Sequence, residues 1–519
     1  CQEGIIASHT PTELGLAQLP GRSVTSTKFK IGNTGTFTTK DFIPMGWLGK
    51  KDGEGFIWEI EHNGTWNFEL GDNAFNLYFT LFGPCEETGW YRSLIPGETY
   101  DSPLTSISVG DSFDSAFASL TAFRRIIKKT SAAYEKMPVF HNDYMKCLGA
   151  NPHTDTVKEM AAAAKRSGAE YYIMDAGWYA DGHWWDSVGE WIASETRFDG
   201  GLAALFAYIR SLDLIPGIWV EPEVMGVNCP LAKEWPDECF FMRHGRRVVN
   251  RQRYQLDFRH PIVRRHLDDT VDRLIREYGI GFFKFDYNID AGIGTEVDAE
   301  SVGDGFEQCA AAFGAWIDSL TARYPDVIFE SCASGSMRMN YDLLSRFHLQ
   351  STSDNESFIQ TGMIASNAAA SVLPEQAGIW ICPMPDMSEK ELVYTITSGL
   401  AGVPYLAGRP NELGDKFHLL SEGVEAYKSF RHEVKTFVPF WPLGFNRYTD
   451  EIHCVAYKAG AKTYVMLWQK AGVGDITLPI AANSCTCLYP KANDYAITTG
   501  ERVTINMGDE LTAGVFVLE

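Results

Sequence analysis

Between positions 282 and 288 aromatic and ionisable side chains alternate, in the order Phe282, Phe283, Lys284, Phe285, Asp286, Tyr287, Asn288. Glycines at 279, 281 and 292 bound the run. An aromatic-rich stretch of this length between glycines reads as a buried parallel strand. Residues two apart on a strand share a face, so Lys284 and Asp286 point the same way. Two charges on one buried face are costly unless they are paired or used. The plain alternative is a structural ion pair.

The ends of the other strand-like runs add to this list. They carry Asp143, Asp175 with Trp178, Glu221 with Glu223, Glu330 with Cys332, and Asp354 with Asn355. Carboxylates that recur at the same end of successive strands describe an acidic pocket. With a Trp at its rim, such a pocket fits a neutral, polyhydroxylated ligand: carboxylates accept hydrogen bonds from hydroxyls, and the ring stacks on an apolar sugar face. Two carboxylates in one pocket also permit nucleophile and acid/base roles. Each residue has a structural reading as well. Asp175 is a residue type that binds its own turn. Glu221 and Glu223 are placed to hold Arg or Lys at the mouth. Cys332 is a residue type more often found as an inert buried thiol than as a contact, and Trp184, Trp185 and Trp191 read also as loop packing.

Positioning these strand ends on one rim requires strand–helix alternation. From residue 137 strands at 138–143, 171–175, 215–221, 282–288, 327–331, 347–351, 378–382 and 403–407 alternate with helices, among them 202–212, 262–278 and 306–324. Thr156 with Glu159 reads as a capping box that opens an Ala-rich helix. About eight such units predict a (β/α)8 barrel over 131–438, whose chemistry lies at the carboxyl ends of its strands. A doubly wound sheet would need a Gly-rich turn after its first strand, where Asn142-Asp143-Tyr144 stands. Residues 1–130 read as a β-sandwich with a connecting helix near 116–128, and His62-Asn63-Gly64 as a hairpin turn. Residues 439–519 read as a smaller antiparallel β domain.

The 519 residues suit a large barrel with flanking β modules. A net charge of −22 argues against nucleic acid or an anionic membrane as partner. No apolar run is long enough to span a bilayer, and no signal-peptide pattern stands at the start. The chain opens on Cys1, so it reads as a processed product or a fragment; a lipid-modified Cys1 has no support in the sequence. Eleven scattered cysteines read mostly as reduced core residues, and Cys485-Thr486-Cys487 lacks the partners for a zinc site. No metal or other cofactor is expected. Cytoplasmic and secreted locations both fit, and so does a homo-oligomer.

From about Trp58 to about Arg431 the chain resembles the α-galactosidases of glycoside hydrolase family 36. The resemblance is carried by Asp175-Ala176-Gly177-Trp178, Gly189-Glu190-Trp191, Gly217 through Glu223, Arg251 with Tyr254-Gln255-Leu256-Asp257, Lys284 through Asn288, Cys332 through Arg338, and Thr352-Ser353-Asp354-Asn355. It implies a retaining exo-α-glycosidase for terminal α-D-galactosides of an oligosaccharide or glycoconjugate. Asp286 would be the nucleophile and Asp354 the acid/base. It also implies that Asp175, Trp191, Arg251, Lys284, Asn288 and Cys332 hold the sugar, with Trp178 and Arg338 in the same motifs. Three positions depart from the family pattern: Ala176 stands for a second Asp, Ser351 for a Trp, and Asp143-Tyr144 for a small polar residue and Trp. These changes are expected to add room and a carboxylate near the mouth. They motivate an alternative sugar, a 2-amino- or 2-acetamido-galactose or the pentose of a β-L-arabinopyranoside. Two further classes are a non-catalytic sugar-binding protein and a Schiff-base aldolase using Lys284, which needs a neutral amine.

Overall fold

In the computed structural model, which describes residues 28–50, 53–72, 77–181, 183–472, 474–508 and 510–519, eight parallel strands close into a barrel. They are β1 (Phe140–Asn142), β2 (Tyr171–Met174), β3 (Ile215–Val220), β4 (Phe282–Phe285), β5 (Ile328–Ser331), β6 (Leu349–Ser351), β7 (Ala377–Ile381) and β8 (Val403–Leu406). β8 pairs with β1 to complete the ring. A helix follows each strand, from Thr154–Arg166 after β1 to Phe417–Phe430 after β8; the one after β5, Tyr341–Leu344, is a single turn, and a further single turn, Leu231–Glu234, precedes the long helix Pro261–Tyr278 after β3. Cys1 lies outside the described residues.

The alternation seen in the sequence sets the layers. On β4, Phe283 and Phe285 face outward, stacking on Phe329 (5.7 Å) and Trp316 (5.6 Å). Phe282 and Lys284 face inward. Phe282, Phe140, Tyr171 and Tyr405 meet at ring separations of 5.0–6.2 Å and fill the amino end of the barrel with aromatic rings. Above this floor Lys284 and Glu330 face the interior beside the rings of Trp219 and Trp380.

Two expectations are corrected. The first barrel helix starts at Thr154, two residues before the expected cap. Thr156 is its third residue, and its hydroxyl accepts the His153 N–H at 3.3 Å. His62-Asn63-Gly64 does not close a hairpin. Gly55–Glu61 pairs with Met45–Gly49 and Leu104–Gly110, whereas Trp66–Asp72 pairs with Lys28–Asn33 and Leu77–Phe82. The turn crosses between two three-stranded sheets because Trp58 and Ile60 on one bury against Trp66 and Phe68 on the other.

The helix Phe113–Ile127, capped by Ser112, joins this sandwich to the barrel. Its Arg124 is fully enclosed. It is paired with Glu59 of the sandwich at 2.7 Å, lies 4.4 Å from the Tyr341 ring centroid and donates to the Ala370 carbonyl. Arg124→Met leaves the Glu59 carboxyl buried without its cation. The variant is expected to lose on the order of 3 kcal/mol, read as a shift of the urea midpoint. An unshifted midpoint would mean that Glu59 accepts a proton there at no cost.

A five-stranded antiparallel sheet and a three-stranded one close the chain, beginning with Val438–Phe440 against Ile452–Ala459. The described cysteines carry free thiols, most of them buried. Among the described residues no helix is long and apolar enough to cross a membrane.

Candidate active site

Strand register puts Lys284 of β4 between Trp219 of β3 and Glu330 of β5. The Lys284 ammonium reaches across to Asp175 Oδ2 at 3.0 Å and lies 5.2 Å from the Trp380 ring centroid. Asp175 also receives the Asn142 amide at 2.6 Å and the Ala176 N–H of its own turn at 2.8 Å. Burial opposes the lysine charge, but Asp175, Cys332 and Glu330 around it raise its pKa well above the ordinary value. An ammonium held this firmly is no amine nucleophile, which removes the support for a Schiff-base aldolase.

Asp286 stands one residue beyond β4. Its Oδ1 accepts the N–H groups of Tyr287 (2.8 Å) and Ser334 (3.3 Å); Oδ2 accepts the Asn288 amide (2.8 Å) and the Trp219 indole N–H (3.1 Å). Burial alone would raise its pKa. The charge of Lys284 and hydrogen bonds from Asn288, Cys332 and Trp219 outweigh burial and hold it below the usual Asp value. Asp286 is therefore ionised at neutral pH.

Asp354 follows β6 and is half-buried. Burial raises its pKa to about 7; the anions of Asp286 and Asp175 add to this, and Lys284 opposes it. Its backbone is fixed by the loop after β5. Gly335, at φ +88°, lies so close that a Cβ there would stand 2.7 Å from the Asp354 nitrogen. Two carboxylates in one pocket thus have opposite protonation, which is the requirement for a nucleophile working with an acid. Glu330 and Glu221 are also pushed to about 7 by burial, but neither is free for chemistry. Glu330 receives the hydroxyls of Ser351 and Tyr405, each at 2.6 Å. Glu221 pairs with the fully enclosed Arg253.

The remaining expected site residues divide by depth. Tyr144 is half-buried at the mouth. Burial and the surrounding charges of Asp175, Lys284, Asp286 and Asp354 bring its hydroxyl pKa to about 12, so the phenol borders the site. Arg251 is exposed and donates to the Asn288 carbonyl at 3.3 Å. Asn288 bridges Asp286 and the Ser334 hydroxyl, and Cys332 touches Asp286 as a buried thiol.

Others lie deeper than expected. Trp178 is not at the rim: it has no exposed surface, and its indole donates to the Trp219 carbonyl. Trp191 is buried between Trp178, Tyr179 and Trp219. Arg338 pairs with Glu223 at 2.6 Å and stacks on Tyr287, so it buttresses the loop from behind. Asp143 adds no carboxylate at the mouth; one oxygen accepts the Tyr172 hydroxyl and the other the Asp175 N–H. Ser351 and Ala176 are fully enclosed and open no room. The aromatic side chains left partly exposed at the mouth include Trp184 and Trp185.

Trp219, Ser334 and Asn142 touch the central carboxylates without standing out beforehand. Trp219 and Asn142 were legible, since each faces inward on a strand that pairs toward this centre. Ser334 was not: it reaches Asp286 through a backbone N–H at φ +46°.

Comparison with known proteins places this geometry. The chain is 27% identical over 332 residues to probable alpha-galactosidase G of Emericella nidulans, covering 60% of this chain and 43% of that protein. It is 29% identical over 255 residues to the alpha-galactosidase of Escherichia coli, covering 48% and 34%. The chain therefore spans less than half the length of these curated relatives. The galactosidase domain of the alpha-galactosidase-sucrose kinase AgaSK superposes with a TM-score of 0.82 at 20% identity, over 94% of this chain and 70% of that one. The alpha-galactosidase AgaA of Geobacillus stearothermophilus, in complex with 1-deoxygalactonojirimycin, does so at 0.79 and 17%, over 95% and 71%. The melibiase family model matches residues 99–393, more than half of the chain, and on that ground the protein belongs to the melibiase family.

Proposed function

We propose that the protein is a retaining exo-α-glycosidase that hydrolyses terminal α-D-galactosides by double displacement. The observation that carries this reading is the geometry around Lys284: Asp286 is held by four N–H donors beside the Lys284–Asp175 pair, and Asp354 stands in the same pocket with its pKa pushed the opposite way. Asp286 attacks the anomeric carbon while Asp354 gives its proton to the departing oxygen, leaving a glycosyl ester on Asp286. Asp354, now a base, takes a proton from water, which attacks the same carbon and restores the original configuration. The paired Lys284 and Asp175 offer a donor and an acceptor to the hydroxyls of the bound sugar, and Tyr144, Trp184 and Arg251 lie where the leaving group emerges. Relatives of this fold have been solved with stachyose and raffinose, and oligosaccharides of that kind are the proposed substrates here.

The test is a panel of nitrophenyl glycosides. The α-galactoside is expected to exceed the 2-acetamido-α-galactoside and the β-L-arabinopyranoside by at least about tenfold in kcat/KM, ~1.4 kcal/mol. Proton NMR should show the α-anomer of the sugar released first. A β-anomer, or a preference for either modified sugar, would overturn the assignment. The enclosure of Asp143, Ala176 and Ser351 supports plain galactose, because none of them presents a new group or space to the ligand.

A further inference from the structure

We propose that Thr36, a residue of the N-terminal sandwich, is a positioning residue for the nucleophile; this rests on the galactosidase reading of Asp286. The loop 35–40 lies against the segment 286–292, which follows β4. The Thr36 hydroxyl accepts the Ala291 N–H at 2.8 Å and lies 2.7 Å from the Tyr287 phenolic oxygen. That oxygen is also 2.5 Å from Gln255 Oε1. An amide oxygen only accepts and a phenol has one proton, so Tyr287 donates to Gln255 and Thr36 donates to Tyr287. The Thr36 N–H donates to Asp290 Oδ1 at 3.1 Å, the Gly292 N–H donates to the same oxygen at 3.0 Å, and Lys40 pairs with Oδ2 at 2.7 Å. Gly35, at φ +100°, makes the approach possible: a Cβ there would stand 2.5 Å from Asp290 Oδ1.

The same loop grips the neighbouring segment after β5. Thr39 donates its N–H to Met337 and its hydroxyl to Ser336, and accepts the Met339 N–H. Phe37 packs edge-on to Tyr287. The two loops that supply every backbone donor to Asp286 are therefore tied to each other through a third piece of chain from outside the barrel. The side chain of Thr36 enters that tie through one hydroxyl, beside the bond from its N–H to Asp290, in a site with almost no exposure. A displacement of the nucleophile by a fraction of an ångström acts on the covalent step, whereas sugar binding is shared among contacts from several other strands.

The experiment compares Thr36→Val, which keeps the shape and removes the hydroxyl, with Thr36→Ser, which restores it. On an aryl α-galactoside Thr36→Val is expected to lower kcat roughly 10- to 100-fold with KM little changed, and Thr36→Ser to recover most of the loss. Hydrogen exchange of the amides 287–292 should quicken in the Val variant and not in the Ser variant. A parental kcat in Thr36→Val, or an equal loss in both variants, overturns the proposal. Should Thr36→Val fail to fold, Lys40→Met at a half-exposed position carries the same expectation of a lower kcat at constant KM, and a parental kcat there overturns it. Should the parent protein hydrolyse no α-galactoside, the galactosidase reading fails by itself. The exchange comparison still decides the positioning claim, and unaltered protection of 287–292 in Thr36→Val overturns it.

Discussion

Asp286→Ala is expected to lower kcat/KM on an aryl α-galactoside by about four orders of magnitude or more, since a covalent route has no substitute nucleophile. That loss corresponds to at least about 5 kcal/mol of transition-state stabilisation. The geometry predicts that the fold survives it. Lys284 keeps its partner in Asp175, so no unpaired charge is left in the barrel. The groups that lose an acceptor are neutral: the amide of Asn288, the indole of Trp219, the thiol of Cys332 and two backbone N–H groups. The thermal midpoint should accordingly stay near that of the parent while turnover collapses. Azide, small enough to occupy the vacated space, should restore part of the rate and yield the β-galactosyl azide. Parental turnover in Asp286→Ala would falsify the mechanism.

The second large effect belongs to Asp354. Its pKa near 7 means that the proton needed at the start of the reaction is present below neutrality and is lost as the pH rises through that value. Asp286, held below the usual Asp range, stays ionised down to pH values beneath it. The profile of kcat/KM should therefore be flat through mildly acidic pH and fall on the alkaline side with a midpoint near 7. Asp354→Ala should remove that alkaline limb. It should slow the first step by about two to four orders of magnitude for poor leaving groups and spare dinitrophenyl galactosides, which depart without protonation. Azide should then speed turnover by attacking the glycosyl-enzyme without a base, giving an α-galactosyl azide. An equal slowing of good and poor leaving groups would assign the proton to another carboxylate. Glu356, two residues on and exposed, would be the next to replace.

Strand ends were legible in the sequence because burial, charge and a period of two are local properties. Lys284, Asp175 and Asp354 all project from the end of the barrel that this pattern indicates. Depth was not legible. Trp178, Arg338, Asp143 and Ser351 occupy the expected motifs, yet each turns out to support a neighbour. Whether a side chain lines a cavity or stands behind its wall depends on the strands beside it, which a linear pattern does not contain. The same limit explains His62-Asn63-Gly64: turn propensity gives the bend but not which sheet the next strand joins. The contact between the loop 35–40 and the segment 286–292 spans some 250 positions of chain and involves short polar residues with no periodicity. Nothing in the linear pattern could have joined them.

The aromatic rings of Phe140, Tyr171, Phe282 and Tyr405 seal one end of the barrel, so a sugar held by Lys284 and Asp175 lies in a dead end. Traffic through that sealed end is closed, and this imposes an order. A chain cannot be threaded through, and only its tip can be offered. In the proposed mechanism the aglycone, nearer the opening, departs while galactose is still anchored to Asp286, and galactose leaves last. On that reading free galactose is expected to compete with the substrate for the empty site, whereas the aglycone returns to a site already carrying the sugar. On the same reading an alcohol that reaches the glycosyl-enzyme before water is expected to take the galactosyl group, so that a concentrated sugar solution favours lengthening chains over cutting them.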